Sequence, residues 1–242
     1  MIHIKENAIF IADAHENESR KGFWKFLQAL KNKEIQTKQL FLMGDIFDLL
    51  VYEIRSTHNF AKPYIRLLEE LASDIEIIYL EGNHDFNLKK FFIKVKVYDI
   101  KKQPILCQFE DINQTRVKLA HGDIFLKPFL QFCLKNLRNH YLLCFLNFLN
   151  FICKEKITRK ILNSQNEKDL VRKIFNFEFI IKDRIKKYQI DFIIEGHYHQ
   201  GVFLKLDNIK YLNLTTFAYK ESFFIVKYEG EIRFHKIELK EA

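Results

Sequence analysis

Five short clusters of potential metal ligands punctuate this chain: Asp13-Ala14-His15, Gly44-Asp45-Ile46-Phe47-Asp48, Gly82-Asn83-His84-Asp85, His121-Gly122-Asp123 and Gly196-His197-Tyr198-His199. Five of the nine histidines and four of the seven glycines fall inside them. Carboxylates and imidazoles are hard to borderline donors, suited to Mn, Fe, Zn or similar ions and not to a thiolate site. A carboxylate shared by two such ions bridges them. Two ions about 3.5–4 Å apart activate a water between them and stabilise both the attacking and the leaving oxygen in phosphoryl chemistry. A glycine beside a ligand lets the backbone turn sharply there. Taken singly the motifs are weak: a D-x-H is more often a cap or a surface pair, and G-N-H-D reads equally well as a turn. G-H-x-H is more specific, and all five in this order leave little room for coincidence. His3, His58, His140 and His235 read as ordinary surface or packing residues.

Each cluster closes a short apolar run. Ala8–Ala12, Gln39–Met43, Glu76–Leu80, Val117–Ala120 and Phe192–Glu195 read as buried strands. Ligands of open α/β sheets bind beyond the carboxyl ends of the strands, so the five clusters should converge on one crevice. Helical periodicity is clearest at Gly22–Lys31 and Phe60–Ala72. Near the end, Lys210–Leu214, Ser222–Tyr228 and Ile232–Glu238 read as consecutive strands joined by tight turns, one containing Glu229-Gly230. Strand–helix alternation followed by a strand meander predicts layered α/β, two packed sheets with helices outside.

The 242 residues suit one large domain, or one domain carrying an insertion. With 48% of residues hydrophobic and 29% charged, disordered and low-complexity classes are excluded. The net charge of +8 favours anionic partners. That charge belongs to one segment: residues 124–187 hold 14 Lys/Arg against 5 Asp/Glu, which leaves the rest of the chain near −1. The segment also carries apolar runs such as Phe129-Leu130-Gln131-Phe132, with Pro128 its one proline and no glycine, so a helical insertion or lid is expected there. Its densest apolar run, Tyr141–Cys153, is too short for a spanning helix, which takes about 20 residues. The opening residues do not read as a secretory signal peptide. Cys107, Cys133, Cys144 and Cys153 form no CxxC pair and read as buried, reduced thiols of a cytosolic enzyme.

The series D-x-H, G-D-x-x-D, G-N-H-D, H-G-D and G-H-x-H, spanning Asp13 to His199, resembles the calcineurin-like metallophosphoesterase superfamily. The resemblance implies a four-layer fold, two packed mixed β-sheets flanked by helices, over residues 1–242 with 124–187 as a helical insertion. It implies two divalent ions, Mn²⁺ first, with Fe, Zn or Mg as alternatives. One ion would be held by Asp13, His15, Asp45 and His199. The other would be held by Asp45, Asn83, His121 and His197, with Asp45 as the bridge. Asn83 and His84 would meet the substrate phosphate. His84, backed by Asp85, would protonate the leaving group or stabilise the transition state. Asp48 and Asp123 would support ligands or cap turns.

Within the superfamily the chain is most similar to the UDP-2,3-diacylglucosamine hydrolases of lipid A biosynthesis. They share the compact size, the G-D-x-F-D block and a helical insertion between H-G-D and G-H-x-H. The best-known of them carry Arg where this chain has His84, and an acidic stretch after H-G-D where this chain reads Ile124-Phe125-Leu126-Lys127-Pro128. The resemblance implies cleavage of a nucleotide-lipid pyrophosphate at an anionic membrane surface, on the cytoplasmic face of the inner membrane. Neither nucleic acid nor an obligate protein partner is expected. The alternatives are a phosphodiesterase or nuclease that grips phosphates with residues 124–187, or a phosphoprotein phosphatase.

Overall fold

The structure, a computed structural model, describes residues 1–241. One six-stranded sheet runs, edge to edge, Ile2–Ile4 (β1), Ile105–Phe109 (β8), Arg116–Ala120 (β9), Phe192–Glu195 (β10), Ile209–Thr215 (β12) and Gln200–Leu206 (β11). A second runs Ile232–Glu238 (β14), Ser222–Tyr228 (β13), Ile9–Ile11 (β2), Gln39–Leu42 (β3), Glu76–Leu80 (β5) and Lys96–Tyr98 (β7). A small ribbon pairs Leu50–Val51 (β4) with Asp85–Phe86 (β6). Both large sheets are mixed: β2, β3, β5 and β7 are parallel, as are β9, β10 and β12 and the pair β1–β8, whereas β8–β9, β11–β12, β2–β13 and β13–β14 are antiparallel.

The strand alternation of period two decides the layers. Phe10, Phe41 and Ile78 face the first sheet, where they meet Phe109, Leu119, Ile194 and Leu212. Their neighbours Ile9, Ile11, Leu40, Leu42, Ile77 and Tyr79 face outward, under the helices Gly22–Lys31 (α1) and His58–Leu71 (α2). Helix α1 presents Phe23, Phe26, Leu27 and Leu30, the i, i+3, i+4, i+7 stripe of a face helix. On the far side of the first sheet, Ile193 and Tyr211 are covered by Phe177, Ile181 and Ile185 of the helix Phe177–Lys186 (α6). Helices, sheet, sheet and helix make the four layers expected.

The chain departs from the sequence-based reading in its last third. Strands β12 and β13 are not consecutive partners: they lie in different sheets, and residues 216–221 carry the chain across. Strand β12 instead forms a hairpin with β11, from Leu206↔Ile209 to Gln200↔Thr215. Strand β11 is an edge strand that alternates exposed and partly buried residues, so it lacks the apolar run that marks the central strands. The β13–β14 turn at Glu229-Gly230 is tight as expected.

Between β9 and β10 stand Pro128–Leu137 (α3), His140–Ile152 (α4), Lys156–Asn166 (α5) and α6. Only α6 is a core layer. Helix α3 buries no side chain, α4 buries Leu143 and Asn150, and α5 buries Thr158. The expectation of buried cysteines fails for the same reason: Cys107 is interior, but Cys144 and Cys153 are exposed around the thinly covered α4, and Cys133 on α3 is half-buried. All four are free thiols. Among the described residues, no helix is long and apolar enough to cross a membrane.

Candidate metal centre

The carboxyl ends of β2, β3, β5, β9 and β10 bring the five motifs to one crevice. Two sets of ligand atoms gather there, Asp13 with His15 and His199, and Asp45 with His121 and His197, each set lying within 4.8 Å. Around His121 Nε2 stand His197 Nδ1 at 3.2 Å, Asn83 Oδ1 at 3.3 Å and Asp45 Oδ2 at 3.4 Å. One nitrogen cannot hydrogen-bond all three, whereas a cation among them takes one lone pair from each. In the other set, His199 Nε2 lies 3.2 Å from Asp13 Oδ1. His15 Nε2 is buried without a hydrogen-bond partner, a cost a folded chain avoids unless the lone pair has other use. The seven residues therefore fit a divalent pair.

The ring orientations are fixed from behind. His15 Nδ1 lies 3.1 Å from Asp48 Oδ1, and Asp48 Oδ2 accepts from Arg20 Nη2 at 2.7 Å and Asn17 Nδ2 at 2.5 Å. His121 Nδ1 donates to the Met43 carbonyl at 2.9 Å, and His199 Nδ1 to the Leu170 carbonyl at 2.7 Å. Committing Nδ1 as a donor leaves Nε2 as the coordinating lone pair in each ring. Burial works to raise the Asp45 carboxyl, but His121 and His84 outweigh it and hold it well below the usual range, so it stands ionised. Burial, then the neighbouring His121, pushes His197 down to about 4.

The backbone here is strained. Asp13, His15, Asp45, His197 and His199 all take left-handed φ, between 46° and 64°. Each such residue costs of order 1–3 kcal/mol and persists only where the surroundings over-determine it. Two glycines are required by contact: a Cβ at Gly82 would sit 2.2 Å from Asp45 Oδ1, and one at Gly44 (φ +89°) 2.4 Å from His121 Nδ1.

His84 lies beside the pair. Its amide donates to Asp45 Oδ1 at 2.9 Å, its Nδ1 meets the Asp48 carbonyl at 3.0 Å, and its Nε2 stands 3.9 Å from Asp45 Oδ2. Burial lowers its pKa against the pull of Asp45.

Asp85 does not back His84. Its side chain turns inward, accepting from the amides of Asp45 (3.0 Å), Ile46 (2.6 Å) and Gly82 (3.0 Å) and from the Tyr79 hydroxyl (2.5 Å). His84 sits in the bend just before β6 and faces the crevice, whereas Asp85, the first residue of β6, points into the protein. Burial, with the Asp45 charge, pushes this carboxyl up to about 7, and the bonds from Tyr79 and Gly82 oppose the rise. It is a clamp on the G-D-x-x-D loop. Asp85→Ala should therefore cost about 3–5 kcal/mol of stability, since it orphans several buried donors. Urea unfolding checks this; a loss under about 1 kcal/mol, the worth of an ordinary hydrogen bond, would remove the clamp.

Asp48 supports His15 as described. Asp123 Oδ2 pairs with Arg138 Nη2 at 2.7 Å, and the same nitrogen donates to the Gly82 carbonyl at 2.9 Å. Arg138, Leu170 and Asn17 are contributors that sequence reasoning missed. A carbonyl such as that of Leu170 leaves no mark on residue type. Glu195 was also missed, although it is a charge at the end of an otherwise apolar strand and was readable as such.

A family profile described as calcineurin-like phosphoesterase matches residues 7–201. A relative from Wigglesworthia glossinidia brevipalpis, named UDP-2,3-diacylglucosamine hydrolase, is 27% identical over 216 residues, 85% of this chain and 84% of its own. One of the same name from Pseudomonas fluorescens (strain Pf0-1) is 27% identical over 213 residues, 82% of this chain and 81% of that one. A solved archaeal phosphodiesterase is a distant likeness, with 13% identity and a TM-score of 0.46 over 96% of this chain and 99% of that one. With the metal cradle and the profile both extending across the motif-bearing part of the chain, the protein belongs to the calcineurin-like phosphoesterase family and is a metal-dependent phosphoester hydrolase.

Proposed function

We propose that this enzyme hydrolyses the pyrophosphate bond of UDP-2,3-diacylglucosamine, yielding UMP and 2,3-diacylglucosamine 1-phosphate. The observation that carries the reading is the apolar surface hung beside the crevice. Leu143 of α4 packs on Val51 and Phe86, the latter two residues beyond His84. Along α3 and α4, Phe129, Phe132, Tyr141, Phe145, Phe148 and Phe151 remain exposed, Phe129 by 80% and Tyr141 by 82%. A patch of this kind marks a protein partner, a membrane or a ligand groove, and its place beside the crevice favours the substrate. The names of the two curated relatives support the same substrate.

The insertion 124–187 serves as a lid in this reading, its Phe and Leu side chains receiving the acyl chains and its Lys and Arg facing phosphate and anionic lipid heads. The protein then works as a peripheral enzyme on the cytoplasmic face of the inner membrane. Asp13, His15, Asp45, Asn83, His121, His197 and His199 would hold two divalent ions, Mn²⁺ by preference, which would supply Lewis acidity for attack by water. Asn83 and His84 position the phosphate. An arriving phosphate anion favours the protonated His84 ring, which can then donate Nε2–H toward the departing oxygen.

The test compares UMP release from UDP-2,3-diacylglucosamine with release from UDP-glucosamine lacking acyl chains. The diacyl substrate should be preferred at least about 100-fold in kcat/KM, given about 0.8 kcal/mol per CH₂ buried. Equal rates would sink the lipid assignment, and cleavage of nucleic acid instead would read the basic insertion as a phosphate clamp.

A further inference from the structure

We propose that Arg184, on the last helix of the insertion, is the positioning residue of the second metal site and decides whether the enzyme holds two ions or one. Arg184 is 9% exposed and none of the five motifs contains it. Its Nη1 donates to the carbonyls of Gly122 and Ile124, both at 3.2 Å, and to Glu195 Oε1 at 2.9 Å. Its Nη2 completes a two-pronged pair with Glu195 Oε2. Glu195, fully buried, also accepts from the hydroxyls of Tyr188 and Tyr211. The guanidinium stacks over Tyr198 with its carbon 5.1 Å from the ring centroid.

The two segments that this one side chain joins are Gly122–Ile124, directly after His121, and Glu195, two residues before His197. Those histidines bring ring nitrogens to 3.2 Å of one another, and His197 does so from a left-handed backbone. A hydrogen bond from His197 Nδ1–H to His121 Nε2 can form in many relative poses of the two rings, so the loops beneath select this one. The planar fork of Arg184 does this by fixing both loops in one hydrogen-bonded plane. The first site is anchored elsewhere: His15 leans on Asp48 and His199 on the Leu170 carbonyl. Loosening Arg184 therefore frees His197 relative to His121, whose ring stays on the Met43 carbonyl; it reaches the first site only through the His197 amide on the Asp13 carboxylate, while His15 and His199 keep their own anchors.

The inference rests on the two-ion reading of the centre and is independent of the lipid substrate. The experiment measures Mn²⁺ binding and the electron paramagnetic resonance spectrum of the full chain. Wild type should bind two Mn²⁺ ions and show an exchange-coupled pair. Arg184→Lys keeps the charge and loses the fork; its second Mn²⁺ should bind about 10- to 100-fold more weakly, with an uncoupled spectrum and a first-site affinity near wild type. An Arg184→Ala variant can fail to fold because it strands the buried Glu195 charge. The double variant Arg184→Met with Glu195→Gln removes both charges and should give the same single-ion state. A folded variant with two tightly bound, coupled ions overturns the proposal, as does failure of all three variants to fold, which would make Arg184 purely architectural. Equal weakening at both sites also overturns it. Fewer than two ions in wild type would instead overturn the reading of the centre.

Discussion

Asp45→Ala is expected to lower kcat by about a thousandfold or more while leaving the protein folded. Asp45 belongs to the ligand set of His121 and His197, its Oδ2 3.4 Å from His121 Nε2, and it also accepts the His84 amide. Stabilisation by the ions is worth several kcal/mol, and each 1.36 kcal/mol is about tenfold in rate. Removing the side chain also releases the His84 amide, which it accepts at 2.9 Å, so the loop that carries His84 loosens as well. The fold should survive, because Asp45 and Asp13 repel each other and the loop itself is held by Asp85. Steady-state kinetics beside far-ultraviolet circular dichroism check both halves. A folded variant retaining a tenth of wild-type kcat would mean that the metal centre does not depend on Asp45.

The second large effect concerns the insertion. Phe145, Phe148 and Phe151 follow one another at three-residue spacing on α4 and are 56%, 58% and 77% exposed. Changing all three to Ser costs the free protein little, because exposed side chains have little burial to lose. It removes several apolar contacts from any acyl chain lying there, at about 1.5–3 kcal/mol for a fully buried aromatic side chain. The expected result is a fall of about a hundredfold or more in kcat/KM for the diacyl substrate, mostly in KM, with a small chromogenic phosphodiester turned over at the wild-type rate. Parallel losses on both substrates would show that the helix supports the metal centre and does not hold lipid.

The strands that carry the ligands were legible because they are buried on both faces. Runs such as Ile77-Ile78-Tyr79-Leu80 and Phe192-Ile193-Ile194 are apolar without interruption and end at glycine or a charge, so period and boundary agree. Strands β1, β7 and β11 lie at or beside sheet edges, where one face meets solvent, and their mixed composition hides them. The destination of residues 216–221 was hidden too, because a crossing between sheets and a tight turn use the same small and polar residues.

The convergence of Asp13, His15, Asp45, Asn83, His121, His197 and His199 on one crevice was legible for a topological reason: each follows the carboxyl end of a strand running the same way. The outer layer was not. Asp85 and His84 are adjacent in sequence, and only the folded backbone at the bend before β6 shows that they face opposite directions. Arg184 and Glu195 lie on different elements 11 residues apart, and the fork between them exists only once α6 is laid on the first sheet. The left-handed backbone at five ligands leaves no residue-type signal beyond the tolerance of Asp and His for that region.

The most direct test is Mn²⁺-dependent release of UMP from UDP-2,3-diacylglucosamine by the purified chain, run beside Asp45→Ala. The account predicts rapid release by wild type, loss on chelation with return on adding Mn²⁺, and near-zero release by the variant. Cleavage of a chromogenic phosphodiester without any release of UMP from the lipid nucleotide would contradict it, leaving the metal centre intact and the substrate wrong.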